Sequence, residues 1–360
     1  MLVNRAVESL EMCGSSFYAE VLQNGSPSPL QRTKQSSLGR PDTRLLVDAG
    51  EVSTLIRMEV ITLQSGSSGN CVYVETDGVR LLFDAGISGN KAQQRLSHHG
   101  KDIRDVDALI ISHDHRDHTA SMGIFQRKFG MPIYVTKRTY AETKRRMKLG
   151  RLHDVRHFCS GDTMWFGRVS VESIRTPHDA VDGVAFVVDN SQHRFGVLTD
   201  LGHVFSELES VMPTLDAVLI ESNYCPRMLD DGPYPAFLKN RISGPAGHIS
   251  NVEAAELLKR AGSERLNWAC LAHLSDENND PAVALETHQQ VLGSAFRLIC
   301  ADRQAVSPLM HVSEFDEETF APPIAASASK LPHDNAMVTT SIDQATTTKK
   351  SSQSQFDFTL

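Results

Sequence analysis

Ala108-Leu109-Ile110-Ile111-Ser112-His113-Asp114-His115-Arg116-Asp117-His118 joins an apolar run to three imidazoles and two carboxylates within six residues. The apolar half reads as a buried strand, short and rich in branched side chains. The polar half, His-x-His-x-Asp-His, has a spacing with physical meaning. In extended backbone, positions i and i+2 project to the same side, so His113 and His115 can grip one ion. As the chain turns into the helix expected after His118, Asp117 and His118 swing toward a second ion. A buried strand ending in a dense cluster of imidazoles and carboxylates is what a metal site needs.

Working outward, three more candidates stand at the ends of other apolar strands. His178 lies in Thr176-Pro177-His178-Asp179 after an expected strand at Val169–Ile174, Asp200 closes Phe195–Asp200 before a Leu-Gly turn, and His273 ends Trp268–His273. Each is weak singly, but two packed sheets can bring such strand ends together. Further strands are expected at Glu59–Leu63, Cys71–Glu75, Val79–Phe83, Pro132–Thr136, Val184–Val188, Ala217–Glu221 and Phe296–Cys300. Helices are expected at Ala120–Phe129, Tyr140–Leu149, Asn251–Ala261 and Pro281–Val291, the last with Pro at its first position after Asn279 and Asp280. This alternation gives an α/β (α+β) class, two sheets packed together and covered by helices.

The 360 residues carry a formal net charge of −8, which argues against binding polyanions by bulk charge. The charge is unevenly placed. Residues 1–57 hold 6 basic and 6 acidic residues with Ser, Gly and Pro spread through Asn24 to Pro41, and residues 313–360 hold 3 basic and 7 acidic residues among Ser, Thr and Ala. Both segments are expected to be disordered extensions. Met58 stands directly before the first strand, so translation beginning there is an alternative reading of the leader. Residues 58–312 remain as one catalytic domain. Six scattered cysteines without a Cys-x-x-Cys pair fit a reduced, cytoplasmic setting. No apolar run approaches the roughly 20 residues of a membrane span, and residues 1–22 lack the basic start and apolar stretch of a secretory signal.

Phe83-Asp84-Ala85-Gly86, the His-x-His-x-Asp-His run, His178, Asp200 and His273, in that order, resemble the motif series of the metallo-β-lactamase fold. Ser65-Gly66-Ser67-Ser68-Gly69-Asn70-Cys71, Thr199-Asp200-Leu201-Gly202, Glu221-Ser222-Asn223, Gly247-His248-Ile249-Ser250-Asn251 and His273-Leu274-Ser275 are similar to a YycJ- or WalJ-like branch. That branch consists of bacterial proteins regarded as metal-dependent DNA exonucleases. The resemblance implies a four-layer αββα sandwich with two divalent ions at one edge. It assigns His113, His115 and His178 to one ion and Asp117, His118 and His273 to the other, with Asp200 bridging. It gives Asp84 the task of orienting ligands by hydrogen bonds, and His248 that of phosphate contact or general acid. His248 and His273 remain interchangeable for the last ligand position, since only strand context separates them.

Ligand sets of imidazole and carboxylate, unlike closed four-thiolate sites, leave positions open for catalysis. Two ions about 3.5–4 Å apart lower the pKa of a bridging water and stabilise charge on the attacked centre, which serves phosphodiester, ester, thioester or lactone hydrolysis equally. Zn²⁺, Mn²⁺ and Fe²⁺ all suit such donors. Charge placement favours nucleic acid, and the resemblance makes DNA the first candidate. From Arg127 to Arg156 ten basic residues face only Glu142 and Asp154. Lys144, Arg145 and Lys148 are expected on neighbouring positions of one helix, as a phosphate-binding stripe. Ser68 and Asn70, in the Gly-rich turn, can offer polar groups to a phosphate, although a plain hairpin turn explains them as well; Asn223 is a further substrate-contact candidate. A small-molecule ester, thioester or lactone hydrolase is the alternative within the fold, and a non-catalytic nucleic-acid-binding or regulatory module the alternative outside it. The short span between Val155 and His178 leaves no room there for an inserted domain.

Overall fold

Alternating burial along the strands builds the architecture. In Cys71-Val72-Tyr73-Val74, the two valines join one apolar cluster while Cys71 and Tyr73 join another; in Val184-Ala185-Phe186-Val187-Val188 the same alternation divides residues between the first cluster and a third. Strands with both faces buried require three packed interfaces, and so four layers. A computed structural model of the chain describes residues 57–314 and has this form. The two expected extensions fall outside the described residues, apart from Arg57 and residues 313–314.

The first sheet contains β1 (Glu59–Gln64), β2 (Cys71–Thr76), β3 (Val79–Phe83), β4 (Ala108–Ile110), β5 (Ile133–Tyr134) and β6 (Val155–Arg156). The second contains β7 (Thr163–Phe166), β8 (Val169–Arg175), β9 (Val184–Asp189), β10 (Arg194–Leu198), β11 (Ala217–Glu221), β12 (Trp268–Ala272) and β13 (Leu298–Cys300), and β14 (Met310–His311) returns to the first. The sheet orders are β14-β1-β2-β3-β4-β5-β6 and β13-β12-β11-β10-β9-β8-β7. Each sheet is antiparallel at one side and parallel at the other, over β3 to β6 and β10 to β13. Parallel strands end together, so β3, β4, β10, β11 and β12 deliver their C-terminal residues to a common edge, and β8, antiparallel to both its neighbours, adds its own end there.

The helices are α1 (Gly89–Ser97), α2 (Arg116–Thr119), α3 (Met122–Phe129), α4 (Lys137–Arg146), α5 (Ser206–Val211), α6 (Pro226–Asp231), α7 (Ala236–Ile242), α8 (Asn251–Ala261) and α9 (Pro281–Leu292). Ala92 and Leu96 of α1 and Met122 and Phe125 of α3 cover the first sheet; Leu208 of α5, Ala254, Leu257 and Leu258 of α8 and Ala284 of α9 cover the second. The helix expected at Tyr140–Leu149 begins and ends three residues earlier, because the Thr136 hydroxyl caps the Thr139 N–H and Met147 is already extended. The helix expected at Ala120–Phe129 starts two residues later, at Met122, because Ala120 closes the separate short helix α2 and Ser121 precedes the first turn of α3.

His288 on α9 is completely buried. Its Nδ1 donates to the Ala284 carbonyl at 2.9 Å and its Nε2 has no partner. Burial pushes its pKa down to about 4. Since the folded value lies below the ordinary one, the unfolded chain binds the proton first, and stability is lost as pH falls from about 6.5 to about 4. Denaturant unfolding with chelator present should therefore show the wild type losing about 3 kcal/mol more than His288→Leu between pH 7 and pH 4. Equal losses would mean that His288 is protonated in the fold.

Candidate metal centre

The site is assembled from strand ends. Asp84 follows β3, His113 to His118 follow β4, His178 follows β8, Asp200 follows β10, Glu221 ends β11 and His273 follows β12. Asp84, Asp200 and His273 have left-handed backbones, with φ of 65°, 57° and 54°. Non-glycine residues rarely adopt this conformation, which costs on the order of 1–3 kcal/mol each. Here it turns each side chain sharply off its strand. Neighbouring bonds hold the turns: the Asp84 N–H donates to the Ile110 carbonyl at 2.9 Å and the His273 N–H donates to Ser65 Oγ at 2.9 Å. The Asp84-Ala85-Gly86 turn lies flat against the Asp117-His118 turn, with the Ala85 N–H bonded to the His118 carbonyl. A Cβ at Gly86 would strike the Asp117 carbonyl, so only glycine fits.

Two sets of donor atoms adjoin. Ligand atoms of His113, His115 and His178 lie within 4.8 Å of one another, as do those of Asp117, His118 and His273. Asp200 stands between them. Its Oδ1 is 3.6 Å from His178 Nε2 and 3.9 Å from His113 Nε2, and its Oδ2 is 3.3 Å from His118 Nε2. His113 Nε2 and Asp200 Oδ2 are buried with no hydrogen-bond partner, which is unfavourable unless a cation completes them. The imidazoles are prepared accordingly. His178 Nδ1 donates to the Gly247 carbonyl at 2.7 Å and His118 Nδ1 donates to Asp84 Oδ2 at 2.7 Å, which turns both Nε2 atoms into the cluster, where His118 Nε2 also meets the Asn70 amide at 3.0 Å and His178 Nε2 meets His115 Nδ1 at 3.2 Å. Asp84 also accepts from the Ser112 N–H and hydroxyl. The donor set and its two orphaned atoms fit divalent cations.

Burial, and then His118 beside it, push His113 far below its ordinary pKa, toward the neutral form a ligand requires. Burial opposes charge on His118 and His273 too, yet Asp200, the strongest of the opposing influences, and the other carboxylates raise both. Burial likewise opposes ionisation of Asp117, and His118 and His273 overcome it, holding its carboxyl well below the usual range.

In the sequence, Glu221 stands only as part of the Glu221-Ser222-Asn223 stretch, with no role at the site assigned to it. It is wholly buried, and its Oε1 accepts from His248 Nδ1 at 2.6 Å and lies 3.3 Å from His273 Nδ1. Its other oxygen accepts from the Leu201 N–H. His273 thus joins Asp117 and His118, whereas His248 sits on Glu221 with its Nδ1 3.9 Å from Asp200. Asp200, Glu221, His248 and His273 form a further group of adjoining donor atoms.

The proposed substrate contacts come out differently. Asn70 and Asn223 are buried. The Asn70 amide bonds both polar groups of Gly66 and reaches Asp117 Oδ2 at 3.2 Å, so it closes the turn and fixes a ligand. Asn223 donates to the His273 carbonyl at 2.8 Å. Neither presents its amide to solvent. Ser68 is exposed and bonded to Gln64 and the Arg303 carbonyl. Lys144, Arg145 and Lys148 are exposed, but Lys148 lies beyond the end of α4 and Arg145 is held by Glu142 at 2.6 Å. The expected continuous stripe is therefore interrupted.

Residues 79–269 match the family model of the β-lactamase superfamily domain. The exodeoxyribonuclease WalJ of Streptococcus pneumoniae is 36% identical over 235 residues, covering 65% of this chain and 87% of that protein. The exodeoxyribonuclease YycJ of Bacillus anthracis is 31% identical over 257 residues, covering 69% of this chain and 97% of that protein. Among solved structures, the metallo-β-lactamase fold protein YhfI from Bacillus subtilis superimposes with a TM-score of 0.53 at 18% identity, over 70% of this chain and 98% of that one. The likeness to YhfI is one of fold alone.

Asp84→Asn should keep the fold but place an amide donor against His118 Nδ1, favouring the wrong tautomer. Competition with a chromogenic chelator should show divalent-metal affinity falling by about 10- to 100-fold. Unchanged affinity would remove His118 from the ligand set.

Proposed function

The chain belongs to the β-lactamase superfamily, in the branch of the WalJ and YycJ relatives, and is a metal-dependent hydrolase; from that premise we propose that it is a DNA exonuclease. The observation that carries this reading is the pair of adjoining donor sets sharing Asp200, in a chain that aligns with nearly the whole of two proteins named exodeoxyribonucleases. In this reading residues 58–312 are the catalytic domain, working in the cytoplasm. Among the described residues no helix is long and apolar enough to cross a membrane.

His113, His115 and His178 would hold one ion, Asp117, His118 and His273 a second, and Asp200 both. Zn²⁺, Mn²⁺ and Fe²⁺ suit these donors. The chemistry such ions supply when bound is a lowered pKa of water and compensation of charge on the phosphate oxygens. Asp84 keeps His118 in the tautomer that exposes its Nε2 lone pair. Glu221 orients His248 through Nδ1, leaving Nε2 to hold a proton for the departing oxygen, as a general acid. The cluster opens to solvent on the side of His115, Asp117 and His248, whose side chains are partly exposed, whereas His113, His118, His178 and Asp200 are shut away. Lys144 and Lys148 supply positive charge for the phosphate backbone.

Purified chain with Mn²⁺ or Zn²⁺ should shorten end-labelled DNA stepwise, and chelator should stop it. His115→Ala should lose at least about 1,000-fold in rate, because removing a ligand removes most of the charge compensation. Hydrolysis of a generic ester with DNA and RNA left intact would reject the nuclease reading. Lys144→Gln with Lys148→Gln should weaken binding to duplex DNA and reduce the slope of log affinity against log salt by about 2. An unchanged slope would leave those lysines as ordinary surface.

A further inference from the structure

The segment between β11 and α8 carries α6 and α7, and α7 has no buried residue. Leu238 and Ile242 are half-buried, while Phe237 is 75% exposed. Four residues on, along the same helix face, Arg241 donates from Nε to Asp179 Oδ2 at 2.6 Å. The other oxygen of Asp179 is 3.5 Å from both His115 Nε2 and His178 Nε2. A guanidinium that is more than half exposed thus stands one carboxylate away from the first donor set, on the side where the centre opens. The phenyl ring lies one helical turn beyond it.

This helix is anchored despite its exposure. The Asp179 N–H donates to the Ala246 carbonyl at 2.9 Å and the His248 N–H to the Ile242 carbonyl at 2.9 Å. His203 Nδ1 donates to the Pro245 carbonyl at 2.6 Å. Phe237 is therefore an apolar ring held at a fixed distance from the mouth of the centre, beside a cation. That pairing matches a nucleotide, whose phosphate takes the guanidinium while its base offers a flat apolar face.

We propose that Phe237 is a stacking platform for a nucleobase of the DNA strand entering the metal centre, and that Arg241 contacts the phosphate of the same strand end. The proposal rests on the nuclease reading and adds where the strand is gripped. Stacking does not distinguish bases, so the contact is independent of sequence.

The test uses full-length protein and an oligonucleotide with 2-aminopurine at its end, together with a matched oligonucleotide with an abasic terminal nucleotide. With chelator present, wild type and Phe237→Tyr should quench the 2-aminopurine, and Phe237→Leu should not. With metal, Phe237→Leu should raise KM for the normal strand by about 5- to 100-fold with a smaller effect on kcat. The abasic strand should carry the same penalty with wild type and little more with the variant. Thermal melting of Phe237→Leu should match wild type, because the ring is exposed. If wild type degrades DNA and the variant shows the same quenching, KM and abasic penalty, the platform is overturned and the nuclease reading stands. If wild type neither binds nor degrades DNA, both fall.

Discussion

Withdrawal of nine ionisable side chains from water into one small volume is the constraint on which the rest of the structure depends. His113, His118, His178, His273, Asp84, Asp200 and Glu221 are buried, with His115 and Asp117 partly so. A charge buried alone would cost several kcal/mol, so each group needs an opposite charge, a hydrogen bond or an ion. The surrounding loops supply the second of these in detail: Asp84 takes three donors, Glu221 takes His248 and a backbone N–H, and His178 gives its proton to a carbonyl. Two atoms stay without partners, His113 Nε2 and Asp200 Oδ2. Both lie in the space shared by the donor sets.

Such a cluster needs backbone that converges from many directions without flexing. Parallel strands in both sheets provide it, since their C-terminal ends meet at one edge and their flanks are fixed by hydrogen bonds in register. The left-handed turns at Asp84, Asp200 and His273 are the local cost of that convergence. They persist because the three packed apolar layers on either side and between the sheets leave no room for relaxation. The buried core of the site contrasts with its open side, where His115, Asp117 and His248 meet solvent and α7 is held by hydrogen bonds at its C-terminal end and by few apolar contacts.

The sandwich and most donor residues were legible in the sequence for physical reasons. The central strands are apolar runs that end in imidazoles or carboxylates, and that contrast survives without any coordinates. Edge strands β6, β7 and β14, of two to four residues, are too short to show a period. Helices α6 and α7 are interrupted by Gly232, Pro233 and Pro235 and have too little buried face to leave a pattern. Glu221 illustrates a different limit. It looks like an acid ending a strand, and its role emerges only from the register that pairs it with Ala272, next to His273. The same pairing places His273 with Asp117 and leaves His248 across Glu221, a distinction that sequence spacing does not contain.

The basic segment shows how local pairing changes the meaning of charge. Of the residues on α4, Arg146 is held by Glu142 at 2.6 Å and by the buried Asp114 at 3.4 Å. Asp114 also accepts from the Val181 N–H, and Thr139 of α4 donates to the Asp182 carbonyl, so the helix is fastened to the loop that carries His178. Arg145 is neutralised by Glu142 as well. Within the helix, Arg146 therefore serves to set the position of a metal-site loop rather than to meet solvent ions. Exposed positive charge outside these pairs remains on Lys137, Arg138 and Lys144 of the helix and, beyond it, on Lys148 and Arg151. A phosphate backbone bound there would press on an element already tied to the metal-site loops, so binding and ligand geometry share one support.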